Sequence, residues 1–252
     1  MNNSVRKNIL KTSYEAQAGH IPSALSIVEI LESLYRDIMD MKEDKFILSK
    51  GHGCLALYSI FYEMGFITKE ELLSFGQYNS KLGGHPHFKK LEQIEASTGS
   101  LGHGLPIALG IALAKKIQSR PGKVYCLIGD GECNEGTTWE SALLAEKLKL
   151  NNLVCIVDNN ISQTRAIPTK NIATKFSSFG WETQTVNGHD RDLLKDVLKN
   201  THDILPMCLV CNTIKGKGIR EMEKNMFAWH HGPPNFEQYT RFMEELNESP
   251  IC

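Results

Sequence analysis

Two short apolar runs separated by one amphipathic segment constrain this chain more than any other feature. Residues 124–128 and 153–157 are continuously apolar, as expected of parallel strands buried on both faces. Between them, residues 137–149 place Trp139, Ala142, Leu143, Ala145, Glu146 and Leu148 at a helical period. Residues 181–186 read as a third strand, 190–199 as a helix and 206–213 as a fourth strand. Strand–helix–strand repeated in this way predicts an α/β fold, a doubly wound and mostly parallel sheet with helices on both faces.

The first 120 residues or so read as helical. Residues 22–38 align Leu25, Val28, Leu31, Leu34, Tyr35 and Ile38 in one stripe, with Pro22 placed near a helix start. A second helix is expected from near Gly53 through Leu57, Ile60 and Phe61, and a small-residue helix over 105–117. Residues 76–104, rich in Gly, His and Ser, are too long for a simple connection and predict a functional loop region. The tail from Gly216 onward is expected to wrap the surface. Residues 1–252 then form one domain, with a helical part (about 1–120), an α/β part (about 121–215) and that tail.

Several function classes fall away. A net charge of −1 without a long block of like charge gives no footprint for nucleic acid. No run of eighteen apolar residues predicts a membrane span. The N-terminal residues carry no signal core, so a cytoplasmic location is expected. The seven cysteines sit mostly among apolar neighbours, as reduced buried thiols do. Cys208 and Cys211 form a C-x-x-C, but three residues apart on a strand they face opposite ways and cannot share a metal or a disulfide. The pair reads as structural.

The chemistry gathers at the ends of the first two apolar runs, which close in Gly129-Asp130-Gly131 and Asp158-Asn159-Asn160. Carboxyl ends of neighbouring strands line the crevice where open α/β sheets bind ligands. Asp130 offers a hard anionic oxygen, Asn160 an amide oxygen and the following loop a carbonyl, a set that suits Mg²⁺ with positions left for phosphate and water. The amides of the Gly131 turn would face the same phosphates. Asp158 and Asn159 read as polar turn residues.

A GDG turn followed by helix, strand and an Asn-containing turn resembles the diphosphate motif of thiamine diphosphate enzymes. Further segments match transketolase in order: Gly19-His20-Ile21-Pro22-Ser23-Ala24, Leu48-Ser49-Lys50-Gly51-His52, Gly84-His85-Pro86, Gly99-Ser100-Leu101-Gly102-His103-Gly104, Asn187-Gly188-His189-Asp190, Lys215-Gly216-Lys217-Gly218 and Trp229-His230-His231. The chain thus resembles the N-terminal, diphosphate-binding subunit of a split transketolase.

The resemblance implies roles. Asp130 and Asn160 would ligate Mg²⁺ (or Ca²⁺ or Mn²⁺), with the carbonyl of Ser162 as third ligand. Gly129, Gly131, His52 and the His230/His231 pair would contact the diphosphate, with His230 favoured over His231. Gly99 and Leu101 would line the thiamine diphosphate crevice. His20, His52, His85 and His230 would be catalytic, the first three meeting hydroxyls of a ketose donor, and Glu135 would reach across a subunit interface. His87, His189 and His202 are expected on the surface, Lys215 and Lys217 in solvent, and His103 is unassigned.

The family's cofactor-activating glutamate lies in a pyrimidine-binding domain beyond the matched region. The resemblance therefore implies a complementary C-terminal subunit, in an α2β2 assembly by family precedent, with small sugars as substrates. A related thiamine diphosphate enzyme, of 2-oxoacid dehydrogenase or deoxyxylulose phosphate synthase type, and a non-catalytic module stay open as alternatives.

Overall fold

In the computed structural model, which describes residues 3–165, 167–200 and 204–248, the apolar runs form the middle of a five-stranded sheet. Strands β1 (Lys45–Leu48), β2 (Val124–Gly129), β3 (Leu153–Asn159), β4 (Glu182–Asn187) and β5 (Met207–Asn212) are all parallel, in the order β1-β2-β3-β5-β4. β2 is buried throughout and β3 as far as Asp158, so both faces must carry helices.

On one face, α1 (Ser4–Ala16), α2 (Ile21–Leu25), α3 (Val28–Ser33) and α4 (Cys54–Glu63) pack with α9 (Arg191–Lys199) and α11 (Phe236–Glu248) against Tyr125, Leu127, Val154, Ile156 and Leu209. The short helices α5 (Lys69–Leu73) and α10 (Arg220–Lys224) add Leu72 and Met222 to that core. On the other face, α6 (Gly104–Ile117), α7 (Gly136–Lys147) and α8 (Ile172–Ser178) press Leu105, Ala108, Ala142, Ala145 and Phe176 onto the sheet. There Cys126, Cys155 and Cys208 lie side by side in register on β2, β3 and β5. Cys208 and Cys211 face opposite cores, as the strand period requires. The six described cysteines are unpaired thiols, all buried.

Three expectations change. The N-terminal third also supplies β1, a four-residue edge strand too short to show a period. The stripe over 22–38 is broken into α2, α3 and a π-helical turn (Leu34–Ile38). The first break falls at Ser26, whose hydroxyl donates to Asp158 at 2.7 Å. Finally, the tail is more than a surface strap: its helix α11 inserts Phe242 and Leu246 into the core and stacks Tyr239 on Tyr14 at 4.2 Å. No helix or strand lies between Leu73 and Gly104, which agrees with the loop region expected over 76–104. His202 and Cys252 lie outside the described residues.

Candidate active site

The register that pairs Gly129 with Asp158 sets the GDG and DNN turns next to each other at the carboxyl edge of the sheet. They floor a cleft of about 560 Å³ that His20, Lys50, His52, His85, Gly99, Leu101, Glu135, Ser162 and His230 help to line. Asp130 is 1% exposed. Its Oδ1 accepts from the Gly131 amide at 2.9 Å and the Ser162 hydroxyl at 3.2 Å, while its Oδ2 is buried without a partner. Burial, followed by the neighbouring Asp158 carboxylate, pushes the Asp130 carboxyl above its ordinary range. A bound cation would reverse that balance. Asn160 turns its amide nitrogen to Asp158 at 2.7 Å and its Oδ1 toward the Ser162 amide at 3.0 Å. One orphaned carboxylate oxygen, on a residue that lines the cleft together with Asn160 and Ser162, fits a hard cation with few protein ligands.

Asp158 is not a turn residue. It ends the buried part of β3 with no exposure and accepts from Lys50, Ser26, Asn160 and Thr213. Burial alone would raise its carboxyl; the Lys50 ammonium and the hydrogen bonds from Lys50, Thr213 and Ser26 outweigh burial and hold it below the usual range. Lys50, itself 1% exposed, also donates to the Ser23 carbonyl at 3.0 Å. Glu132, just past GDG, ties three loops together. It accepts from Ser49 at 2.6 Å, the Gly102 amide at 2.9 Å and the Gly129 amide at 2.9 Å. Lys50 lies in one of the matching segments but carries no assigned role there, and nothing in the sequence marks Glu132, because most of their side-chain partners lie far along the chain.

The rim is made of rings. His20 meets His52, His230 and His231 edge to face, with centroids 5.4, 5.6 and 4.7 Å apart. Burial, then the charges of His231, His230, His85 and Lys215, lower His20 to about 4. Burial and then Lys50 bring His52 down to about 2, while burial and then Lys215 lower His230. Neutral imidazoles at working pH can donate to and accept from hydroxyls. His85 is exposed beside Gly99, which adopts φ 134° and where a Cβ would lie 3.0 Å from the His85 ring. At Gly102 (φ 81°) a Cβ would fall 2.5 Å from the Cβ of Glu135, so only glycine lets that loop approach the start of α7. Glu135 is exposed at the cleft edge. His230 lines the cleft, whereas His231 borders an adjoining recess with Trp229 and Gln238.

Two residues expected in solvent are instead inside. Lys215 is 3% exposed, and its Nζ lies 3.2 Å from Nδ1 of His230. Burial and then Lys50 lower its ammonium to about 8, against the pull of Asp158 and Asp130. His189 is buried too, with Nδ1 2.8 Å from Glu29 and Nε2 accepting the Ile214 amide at 2.8 Å. His87 is exposed as expected, and so is His103. Lys217 is half-buried.

Comparison with known proteins agrees with this architecture. The family described as "Transketolase, thiamine diphosphate binding domain" matches residues 1–244. A Phocaeicola vulgatus protein, named as one of the subunits of apulose-4-phosphate transketolase, is 38% identical, the match covering 96% of this chain and 91% of that one. A Clostridium protein named 6-deoxy-6-sulfo-D-fructose transketolase subunit SqwG is 34% identical over 98% of this chain and 94% of its own. The transketolase structure from Campylobacter jejuni superposes with a TM-score of 0.86 at 30% identity, over all of this chain but 43% of the longer one. By sequence and by fold, the chain belongs to the transketolase family, as a thiamine diphosphate binding domain.

Proposed function

We propose that this chain is the diphosphate-binding subunit of a two-subunit transketolase, transferring a two-carbon ketol unit from a ketose or ketose phosphate to an aldose. The observation that carries this reading is the buried, unpartnered oxygen of Asp130, a residue that lines the same cleft as four histidines. Asp130, Asn160 and the carbonyl of Ser162 would hold Mg²⁺, or Ca²⁺ or Mn²⁺ in its place. The Gly129–Gly131 turn, His52, His230, His231 and Lys215 would face the diphosphate, with Gly99 and Leu101 lining the crevice. When bound, thiamine diphosphate supplies carbanion stabilisation for carbon–carbon cleavage. His20, His52 and His85 orient the ketose hydroxyls, and the rings of His20 and His52, held neutral by burial, give or take a proton at a hydroxyl oxygen.

The partner is a complementary subunit with the pyrimidine-binding and C-terminal domains, in an α2β2 assembly. The chain spans nearly all of its relatives named as subunits but about two-fifths of a single-chain transketolase. Ile107 of α6 and Leu143 and Leu144 of α7 are exposed next to the loops that carry Leu101 and Glu135, an apolar shoulder for that partner. Residues 1–252 then serve as one diphosphate-binding domain, and the buried thiols suit the cytoplasm.

Calorimetric titration of thiamine diphosphate with Mg²⁺, into the chain alone and mixed with its complementary subunit, tests the reading. Binding in the mixture that is lost in Asp130→Ala is expected, followed by turnover of ketose phosphates and of the substituted sugars in the relatives' names. No binding to a folded, associated mixture would overturn it.

A further inference from the structure

The loop that carries Lys215 is gripped from below by three charged side chains far apart in sequence. Arg6 of α1 lies with Nη1 2.7 Å from one oxygen of Glu29 and donates from Nη2 to the other at 3.0 Å. Glu29 of α3 also meets Nδ1 of His189 at 2.8 Å. All three are buried, Glu29 at 1% exposure. The outer ends of this triad bind main chain. His189 Nε2 accepts the amide of Ile214 at 2.8 Å, and Arg6 Nε donates to the carbonyl of Lys217 at 3.0 Å. A backbone amide can only donate, so Nε2 is the bare nitrogen and Nδ1 carries the proton given to Glu29.

Burial pushes the Glu29 carboxyl up, but the hydrogen bond from His189 and the Arg6 guanidinium outweigh burial and bring it to about 2. One carboxylate thus holds both arms. Between the two gripped residues the Gly216 amide donates to the Pro22 carbonyl at 3.0 Å, and the turn holds the Lys215 ammonium against His230.

We infer that His189 is a positioning residue for Lys215: with Glu29 and Arg6 it clamps the backbone on both sides of that lysine and so sets where its ammonium stands in the cleft. The inference rests on the reading of Lys215 as a cation that faces the cofactor diphosphate. A buried ionic triad serving stability alone has no need to end on the residues flanking Lys215.

The test is a double-mutant cycle in the complex with the complementary subunit, reading the affinity for thiamine diphosphate at saturating Mg²⁺. Lys215→Met and His189→Leu should each weaken binding by about tenfold, the scale of one buried hydrogen bond to a charged group. The double variant should stay near about tenfold rather than the ~100-fold of independent sites. Additive losses, or a His189→Leu variant that melts earlier with unchanged affinity, would overturn the clamp. Glu29→Gln carries the same expectation if His189→Leu does not fold.

A second arm needs no cofactor. Amine acetylation of the chain, followed by mass spectrometry, should show Lys215 reacting at least about fivefold faster in His189→Leu or Glu29→Gln, while the equally buried Lys50 does not change. Equal gains at both lysines would mean general loosening and sink the proposal. Should wild-type complex fail to bind thiamine diphosphate, the functional reading falls, and the lysine labelling still decides the clamp.

Discussion

On the floor of the cleft, Asp158 accepts from four side chains and Glu132 from three groups, whereas at the rim His20 meets its neighbours ring against ring. The floor is buried, charged and densely hydrogen-bonded, and one oxygen of Asp130 is left there without a partner. The rim is half open and built from imidazole rings. A site that must hold a fixed anion and cation benefits from the first arrangement, because groups already in place need no reorganisation. A site that must admit and release sugars benefits from the second. The two regions should therefore respond to mutation differently, the floor in stability and the rim in turnover.

The sharpest break should come from Lys50→Met, which strands the Asp158 carboxylate in the core. We expect a loss of about 3–5 kcal/mol in chemical denaturation, with part of it restored by adding Asp158→Leu; a loss below ~1 kcal/mol would mean that water reaches the pair. Asp130→Asn should separate the one exception from the rest of the floor. Cation-dependent cofactor affinity should drop at least ~100-fold, the upper range for disturbing a metal site, while the denaturation midpoint holds or rises as a repelling charge is removed. Equal loss of stability would show that Asp130 is wired like its neighbours.

At the rim, His85→Ala should leave stability within about 0.5 kcal/mol yet cut kcat/KM for the ketose donor about tenfold or more, read in steady-state assays of the complex. The smallest effect is in the pH profile. His20 has a folded value of about 4 against 6.5 for the unfolded chain, so between those values the unfolded state binds more protons. The histidine contribution to stability should be flat above pH 6.5 and fall as pH drops toward 4, and His52, at about 2, extends the fall. His20→Gln should flatten the upper part of that slope in a pH series of thermal melts. An unchanged slope would place His20 in water.

The contrast also marks what can be read from residues alone. The central strands are legible because apolar runs bounded by Gly and Asp carry their own burial, and GDG and the glycine-linked histidines announce chemistry locally. β1 escapes notice because four residues hold no period, and α8 because its segment, IATKFSS, buries only Ile172 and Phe176. Asp158, His189 and Lys215 mislead a sequence reading for a common reason: a polar or charged residue is inside only when a partner offsets its desolvation. Those partners stand at position 50 for Asp158, 29 for His189, and 158 and 130 for Lys215, distances along the chain that no window spans.

The row formed by Cys126, Cys155 and Cys208 gives the sheet a clock. Each sulfur sits on a neighbouring strand in register, and none of the three residues is exposed at all. A thiol reagent can reach them only when the layer of α6, α7 and α8 lifts away from β2, β3 and β5. The rate at which all three become modified would time that separation, and the order in which they do so would tell whether the layer peels from one edge or departs at once. If cofactor and cation bind at the end of the same strands, as proposed, they should slow the clock in proportion to their affinity.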